Sequence, residues 1–324
     1  MDALSEVLKA IRLDGAVYLT AEFTAPWCTE TKFGLHTAAQ RLPATEHVVF
    51  FHVLTSGRCG VRLADGAETI EASAGDVLLF PHDDLHVIGS DVTLAPTARE
   101  RVEPLPGSLI HLRHGGGGEL TRFVCGYLAC YRRVCRPLLT SLPRLVRVPL
   151  GNDANSTWLL QLLNVGVQES TSENPGGTSM LAKLSELMFV EALRRYAASL
   201  PPAQKGWLAG LRDPQIGRAL AMLHARPAHP WTVDALAREV AMSRSVLAER
   251  FADLIGEPPM QYLTGWRLAL AAQALRTGIE SIARIAERCG YESESAFNRA
   301  FKREFAMPPA AWRKERAADT RLGA

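Results

Sequence analysis

Cysteine is scarce in this sequence, with six residues in a chain of 324. Six are too few for a disulfide scaffold in a chain of this length, so we expect mostly reduced thiols. No apolar run reaches the roughly 20 residues that a membrane-spanning helix needs. The N-terminal segment MDALSEVLKAIRLDGAVYL carries scattered charges and lacks the apolar core of a signal peptide. These absences predict a cytoplasmic protein with no membrane partner.

The overall composition is typical of a folded protein with two or three domains. Apolar residues make up 47% and charged residues 22%, which excludes a disordered chain. Residues 212–316 contain 16 Lys+Arg against 12 Asp+Glu, hence +4, and only two of these cations are lysine. Arginine donates two parallel hydrogen bonds to phosphate or guanine, which makes DNA a candidate partner. A solvated helical surface would show the same charge.

The sequence pattern changes from strand-like to helical near residue 150. Short β-branched and aromatic runs separated by turn residues predict a sandwich or a barrel before that point. Apolar residues at helical spacing then predict helices over 156–169 and 178–198. The second of these has a broad apolar face, which would pack on the N-terminal domain or on the same helix of a second chain. From residue 213 the chain is helical almost to its end.

The C-terminal part contains an internal repeat. A short helix with an alanine, a corner and a second helix with a phenylalanine occur twice, and Pro-Pro follows each phenylalanine seven residues later. The corners are Ala241-Met242-Ser243 and Gly290-Tyr291-Glu292, and their distances to the phenylalanine differ by one residue. Two helices that meet at a steep angle need a small residue at the corner, and Gly290 also accepts a positive φ. The repeat therefore predicts two helix-turn-helix units.

Local residues support this interpretation of the corners. Ser243 is a good N-cap for the helix that follows, and Glu292 or Ser293 has that role in the second unit. Cys289 occupies the position of Val240, so we interpret it as a small core residue rather than a catalytic thiol.

The repeat has a direct consequence for DNA recognition. The second helix of each unit, 244–251 and 294–302, can enter the major groove. The segment 259–275 reads as one long helix that would hold the two units at a fixed separation. Successive major grooves on one face of DNA lie about 34 Å apart, so a single chain could read an asymmetric site of about two turns.

The stretches LAREVAMSRSVLAERF, GEPPMQYLTGWRLALAAQAL and IARIAERCGYESESAFNRAFKREFAMPPAAWR resemble the AraC/XylS family of transcription regulators. They cover about 100 residues. Two positions depart from the family pattern, since Ala306 stands where the family usually has glycine and Trp312 where it usually has tyrosine. The resemblance implies seven helices that form two helix-turn-helix subdomains joined by a linker helix.

The N-terminal part resembles the cupin sensor domains of such regulators, on the elements FFHVLTSGRC, AGDVLLFPHDDLHV and CGYL followed by RPLLTSLPRLVRV. The resemblances together imply an α+β chain. It comprises a cupin-like β-barrel sensor domain over 8–150, a helical connector over 155–212 that is a candidate dimerisation element, and an all-α double helix-turn-helix domain over 213–316.

A metal-dependent cupin enzyme is expected to have two histidines at i and i+2, a glutamate, and a later histidine. His86 fits the later position, but His47 and His52 are five residues apart and would face opposite sides of a strand. Phe50 and Phe51 stand where a carboxylate is wanted. The incomplete set argues against the alternative function, a metal-dependent cupin enzyme with a DNA-binding tail. His52 and His86 remain candidates for a ligand or metal site, and no cofactor is predicted.

The N-terminal part also contains five of the six cysteines. Arg132, Arg133 and Arg136 lie beside two of them, and neighbouring positive charge favours the reactive thiolate. A redox-sensing role is one hypothesis, and the alternatives are inert buried thiols or a small apolar effector inside the barrel. The candidate sensor thiols are Cys28, Cys59, Cys125, Cys130 and Cys135.

The two recognition helices supply the candidate DNA-binding residues. We expect Arg244 and Asn298 to read bases, and the basic residues near the end of the second helix to contact phosphate. Because Glu292 and Glu294 would repel phosphate, we expect the first unit to anchor recognition. The full set is Arg244, Ser245, Arg250, Glu294, Ser295, Asn298, Arg299, Lys302 and Arg303.

The sequence thus predicts a regulator of transcription that is not an enzyme. Its expected partners are double-stranded promoter or operator DNA, a second copy of the chain in a homodimer, RNA polymerase, and a small effector or an oxidant.

Overall fold

A computed structural model of the chain forms two compact units. Unit 1 contains Met1–Arg12, Tyr131–Ser141 and Ala197–Ala324, and unit 2 contains Leu13–Cys130 and Leu142–Tyr196. The structure describes residues 2–11, 13–34, 45–97, 110–150, 154–171, 176–277 and 279–322.

The described residues of unit 2 form ten strands, which make up two sheets. The six-stranded sheet has the order β10-β6-β3-β9-β1-β8, and the four-stranded sheet has the order β2-β7-β4-β5. All pairs are antiparallel except β1 with β8. The strands are β1 Asp14–Thr24, β2 Cys28–Thr31, β3 His47–Ser56, β4 Arg58–Leu63, β5 Ile70–Ser73, β6 Asp76–Phe80, β7 His86–Gly89, β8 Ile110–Gly115, β9 Leu120–Cys130 and β10 Val146–Pro149.

These strands do not close into one barrel within the described part of the chain. Each sheet ends in strands with a single neighbour, β10 and β8 in one sheet and β2 and β5 in the other. The expected β-barrel is therefore not confirmed, whereas the expected combination of a strand-rich N-terminal part and a helical C-terminal part is present. Strand alternation produces the core: Val48, Phe50 and Leu54 of β3 and Phe123 and Tyr127 of β9 share one face and pack together.

Two helices complete unit 2, namely α3 Ala154–Thr171 and α4 Gly177–Ser199. A Cβ atom on Gly15 of β1 would lie 2.9 Å from the carbonyl oxygen of Ala182, so α4 packs directly on the six-stranded sheet. Leu184 and Met188 lie on its buried face. β3 is buried over most of its length.

Unit 1 is helical. Seven helices follow residue 213 within the described residues, as the resemblance implies, and the long predicted linker is a single helix, α9. The helices of unit 1 are α1 Ala3–Ala10, α2 Arg132–Leu139, α5 Trp207–Arg212, α6 Pro214–Ala225, α7 Val233–Glu239, α8 Arg244–Ile255, α9 Pro259–Thr277, α10 Ile282–Arg288, α11 Glu294–Phe305 and α12 Pro309–Leu322. None of the described helices is long and apolar enough to cross a membrane.

Helices α1 and α2 come from the N-terminal part of the sequence and yet belong to unit 1. Helix α1 packs along α6, and α2 packs on α5 and α9. The apolar side of α2, which includes Val134, Leu138 and Leu139, is buried. The compact units thus divide the chain differently from the three consecutive segments expected from the sequence, because two short helices contribute their apolar sides to the helical core.

Candidate nucleic-acid interface

The first residue of each corner has a positive φ, which was expected for Gly290 but not for Ala241. Ala241 has a φ of 54° and Gly290 a φ of 78°, both in the left-handed region. The hydroxyl oxygen of Ser243 accepts from the backbone N–H of Val246 at 3.3 Å, and Ser293 accepts from the N–H of Ala296 at 3.2 Å. Ser293 is therefore the N-cap of α11, and the one-residue difference between the repeats lies inside the second corner.

A core of aromatic residues lies beneath the second recognition helix. Phe297, Phe301 and Phe305 are buried, and the rings of Phe301 and Phe305 stack with centroids 4.1 Å apart. Cys289 packs in the same cluster, and burial raises the pKa of its thiol to about 11. Its predicted role as a small core residue agrees with this position.

The side chain of Arg267 joins linker helix α9 to the loop before α7. Arg267 Nε donates to the carbonyl oxygen of Pro227 at 2.6 Å, and its Nη2 donates to that of His229 at 2.8 Å. Partial burial lowers the pKa of this guanidinium. A Cβ atom on Gly290 would lie 2.8 Å from the carbonyl oxygen of Ala228, in the same loop. The loop before α7, the linker helix and the second corner are therefore in direct contact, which restrains the separation of α8 and α11.

The exposed face of α8 differs from the prediction. With 3.6 residues per turn, the face opposite buried Leu247 and Phe251 presents Ser245, Val246 and Glu249. Val246 is 49% exposed. Val246 and Glu249 are not among the predicted DNA-binding residues. The helical period counted from the N-cap would have found both.

The two predicted arginines of α8 have partners inside unit 1. Arg250 Nη2 lies 2.5 Å from Asp213 Oδ2, and its Nη1 donates to Gln215 Oε1 at 2.9 Å. Asp213 is also the N-cap of α6, so Arg250 connects α8 to the start of that helix. Arg244 forms a longer contact of 3.7 Å with Asp234, and both side chains are exposed. Both arginine side chains are exposed, and Arg250 also connects α8 to the start of α6.

The exposed face of α11 is basic. Ser295, Arg299, Lys302 and Arg303 are exposed on the side opposite the phenylalanine core, and Asn298 is half-buried beside that core. Glu294 begins the helix, where a carboxylate suits the positive end of the helix dipole.

The two recognition helices carry different charges at matched positions of the repeat. The N-caps Ser243 and Ser293 are 50 residues apart, so Glu249 corresponds to Arg299 and Asp253 to Arg303. At these two positions the first recognition helix is acidic and the second is basic, whereas Arg244 corresponds to Glu294, where the order is reversed. Phosphate attracts a basic face, and the expectation that the first unit anchors recognition stays a prediction.

Comparisons with known proteins agree with this architecture. The profile of the Cupin family matches residues 2–198, and that of a helix-turn-helix domain matches residues 236–315. An AraC-like transcription regulator of Streptomyces lividans is 36% identical over 275 residues, which cover 82% of this chain and 87% of the relative. The chain belongs to the AraC family of transcription regulators.

Two further relatives match nearly end to end. The HTH-type transcriptional regulator AlkR of Acinetobacter baylyi is 31% identical over 97% of this chain and 100% of its own length. The RCS-specific HTH-type transcriptional activator RclR of Escherichia coli K12 is 30% identical over 97% of this chain and 98% of its own length. All three relatives are named regulators of transcription, and AraC-type helix-turn-helix domains bind DNA.

The cupin part of this AraC-family chain brings three of the predicted sensor residues together. His52 Nε2 lies 2.9 Å from His86 Nε2, His52 Nδ1 lies 2.9 Å from Cys125 Sγ, and His86 Nδ1 lies 2.9 Å from the carbonyl oxygen of Asp84. A carbonyl oxygen can only accept, so His86 carries its proton on Nδ1 when neutral. His52 then donates from Nε2, and its Nδ1 accepts a hydrogen bond from the Cys125 thiol. The three side chains form a directional, buried hydrogen-bond chain.

The remaining candidate thiols are buried and separated. Cys28 pairs with Gly89 of β7, which pairs with Gly60 of β4, so Cys28 and Gly60 lie two strand spacings apart, about 9–10 Å. Cys59 neighbours Gly60 on the opposite face, in the main core, and burial raises its pKa strongly. A disulfide needs Cα atoms within about 7 Å, so this fold does not present Cys28 and Cys59 as a pair.

The two cysteines flanked by arginines are also buried. Cys130 is 5% exposed and alternates to the face opposite Cys125, as its spacing predicts. Cys135 is 1% exposed on the inner side of α2, while neighbouring Arg133 forms an ion pair with Glu304 at 3.0 Å. The positive charge of Arg133 is therefore paired with the Glu304 carboxylate rather than with the sulfur of Cys135.

His47 and His52, two candidates for a cupin metal-ligand set, lie on opposite faces of β3. His47 Nε2 lies 2.6 Å from the carbonyl oxygen of Pro81, on the strand face opposite His52, as predicted. Among the residues that the structure describes, no group of three or more His, Cys, Asp and Glu side chains could hold a metal ion.

Proposed function

We propose that this AraC-family regulator binds an asymmetric promoter or operator site by placing α8 and α11 in successive major grooves. The observation that carries the proposal is the repeat of two capped recognition helices whose separation is restrained by α9 and Arg267. Grooves on one face of DNA are about 34 Å apart, and a rigid helix between the units suits a fixed spacing.

The exposed faces suggest a role for each candidate residue. In α8 we assign base reading to Arg244 and Ser245, with Val246 against a thymine methyl group and Glu249 accepting from a cytosine amino group. Arg250 has a structural role through Asp213.

In α11 the assignment follows from exposure. We assign base reading to Ser295 and Arg299, with half-buried Asn298 at the edge of the contact. Lys302 and Arg303 contact phosphate. Glu294 stabilises the N-terminus of the helix through its dipole.

The test is DNA binding by the full chain, with a site selected from a random duplex pool. Arg299→Ala should cost about 1–3 kcal/mol of binding free energy, measured by fluorescence anisotropy. Arg113→Ala, on an 83%-exposed arginine of β8, is the matched control and should bind as the parent does. Equal losses from both variants would contradict the proposed interface.

The cupin-like domain is proposed to sense a small effector or an oxidant. Within the oxidant hypothesis, the directional chain favours Cys125 over Cys130 and Cys135, because His52 is placed to accept its proton. The Cys125 sulfur would attack a peroxide oxygen, which yields a sulfenic acid and releases water.

The oxidant hypothesis is tested by operator affinity before and after mild hydrogen peroxide. Cys125→Ser should abolish the response of the parent protein. Cys59→Ser, which removes a buried thiol in the same core, should keep it. An unchanged response when all five N-terminal cysteines are serine would leave the small effector as the signal.

A homodimer is proposed on the basis of apolar side chains that remain exposed on unit 2. Trp158, Leu162 and Val165 recur at helical spacing on α3 and are between 42% and 47% exposed, and Leu187 of α4 is 49% exposed. Clusters of exposed apolar residues are typical of protein interfaces. Light scattering should show a dimer that Leu162→Glu disrupts.

RNA polymerase stays a predicted partner, testable by transcription in vitro from the selected site.

We also propose that the chain is not an enzyme, since its relatives are named regulators. A stoichiometric divalent metal in the purified protein would favour the alternative, a cupin enzyme with a DNA-binding tail.

A further inference from the structure

Unit 1 contains a cavity of about 420 Å³ between α2 and both helix-turn-helix units. Volumes of this size are typical of small-molecule sites. Its walls come from Pro137 of α2, Trp207 of α5, Tyr262 and Trp266 of α9, and Phe305 at the end of α11. The cavity therefore has aromatic walls and contacts the first unit, the linker helix and the second unit at once.

The walls are held in place by contacts within unit 1. The backbone N–H of Trp207 donates to Ser141 Oγ at 2.8 Å, which joins α5 to the end of α2. The guanidinium of Arg133 lies 4.3 Å from the centre of the Phe305 ring and pairs with Glu304 at 3.0 Å. These contacts make the cavity a feature of the folded helices rather than of a loop.

The charged groups of the cavity divide into a paired set and an unpaired set. Arg133 and Glu304 compensate each other. Arg136 and Glu257 also line the cavity, and neither forms an ion pair with any residue that the structure describes. Burial raises the pKa of Glu257, partly offset by the nearby positive charge of Arg136, so this carboxylate lacks full solvation. A ligand with a cationic donor for Glu257 and an anionic acceptor for Arg136 would satisfy both.

We infer that this cavity binds a small amphoteric molecule with a flat apolar body, which in chemical terms is an aromatic α-amino acid or a close relative. The aromatic walls accommodate the ring, the carboxylate pairs with Arg136, and the ammonium pairs with Glu257. The inference rests on the proposed function for its consequence. An occupant that touches α2, α9 and Phe305 stabilises one arrangement of the two recognition helices, so that ligand and DNA affinities are coupled.

The chain offers a variant that fills the cavity without a clash. Gly265 lines the cavity on α9, and a Cβ atom at this position would have no neighbour within 4 Å. Gly265→Met should therefore fold and occupy the space. Gly265→Ala is the matched control, because it adds a single methyl group and favours the helix.

The experiment measures calorimetric binding of L-tryptophan to the full chain without DNA, alongside tryptamine and indole-3-propionate, which each keep one charge. L-Tryptophan should bind more tightly than either. Its affinity should fall about tenfold in Arg136→Gln and in Glu257→Gln, since each loses a charge-assisted hydrogen bond. Gly265→Met should abolish binding, and Gly265→Ala should retain it.

Three results would overturn the inference: no binding of L-tryptophan, equal binding of the singly charged analogues, or binding unaffected by Gly265→Met. DNA affinity of the same preparations is measured separately. Tryptophan binding without operator binding would refute only the proposed function. Operator binding without tryptophan binding would refute only the inference about the cavity.

Discussion

Buried His224 makes the stability of unit 1 dependent on pH in a defined range. The side chain is 5% exposed on α6, its Nε2 lies 2.7 Å from the hydroxyl of Tyr262, and its ring packs edge-on against Trp266 at 4.3 Å. Burial lowers the pKa of His224 from 6.5 to about 3. The folded protein therefore disfavours the charged form of the His224 side chain.

The sign of the effect follows from proton binding. Between pH 6.5 and about 3 the unfolded chain binds a proton at His224 that the folded chain does not bind. Stability is therefore fully present above pH 6.5 and is lost as the pH falls toward 3. For this pair of pKa values the loss between pH 7 and pH 5 is about 2 kcal/mol of unfolding free energy.

The perturbation is the double variant His224→Phe/Tyr262→Phe. Replacing the histidine alone would deprive the Tyr262 hydroxyl of its partner, which costs about 1–3 kcal/mol and confuses the comparison. Two phenylalanines keep the aromatic packing and remove the titrating group. Urea unfolding of the full chain at pH 7 and pH 5, followed by tryptophan fluorescence, gives the change in stability for each protein.

The parent should lose about 2 kcal/mol more than the double variant over this interval. His229→Gln, which removes an exposed histidine five residues along the chain, should keep the pH dependence of the parent. Equal pH dependence in the parent and the double variant would refute the reasoning, because His224 would then titrate alike in the folded and unfolded states.

Three further outcomes follow from the two repeats. Ala306 ends α11 with a φ of 61°, and Gly256 ends α8 with a φ of 93°. Because glycine adopts positive φ more easily than alanine, Ala306→Gly should stabilise the protein by about 1 kcal/mol, and Gly256→Ala should destabilise it by a similar amount. Urea unfolding measures both changes. Opposite signs would contradict this view of the helix ends. Gly290→Ala should lower the free energy of unfolding by more than 1 kcal/mol, because the new methyl group would sit at a positive φ and 2.8 Å from a backbone oxygen. A variant as stable as the parent would disprove that contact. Glu249→Gln should strengthen binding to random-sequence DNA about two- to fivefold at low salt, as followed by anisotropy, whereas an unchanged affinity would place Glu249 away from phosphate.

Features set by neighbouring residues were predictable from the sequence. The corners, the N-cap Ser243 and the long helix α9 depend on contacts within a few residues, so composition and spacing determine them. The opposite orientations of His47 and His52 follow from the two-residue period of a strand. The repeat then led to the AraC family, which the comparisons confirm.

Features that join distant residues were decided by the tertiary structure. Arg250 is a predicted DNA contact because it closes the first recognition helix, whereas its ion pair with Asp213, 37 residues earlier, arises only in the fold. His52 and His86 were candidates by residue type, whereas their alignment with Cys125, 73 residues after His52, depends on the register of β3 and β9. Local spacing constrains neighbours, but long-range pairs form only when strands and helices pack, and packing is a property of the whole core rather than of any segment.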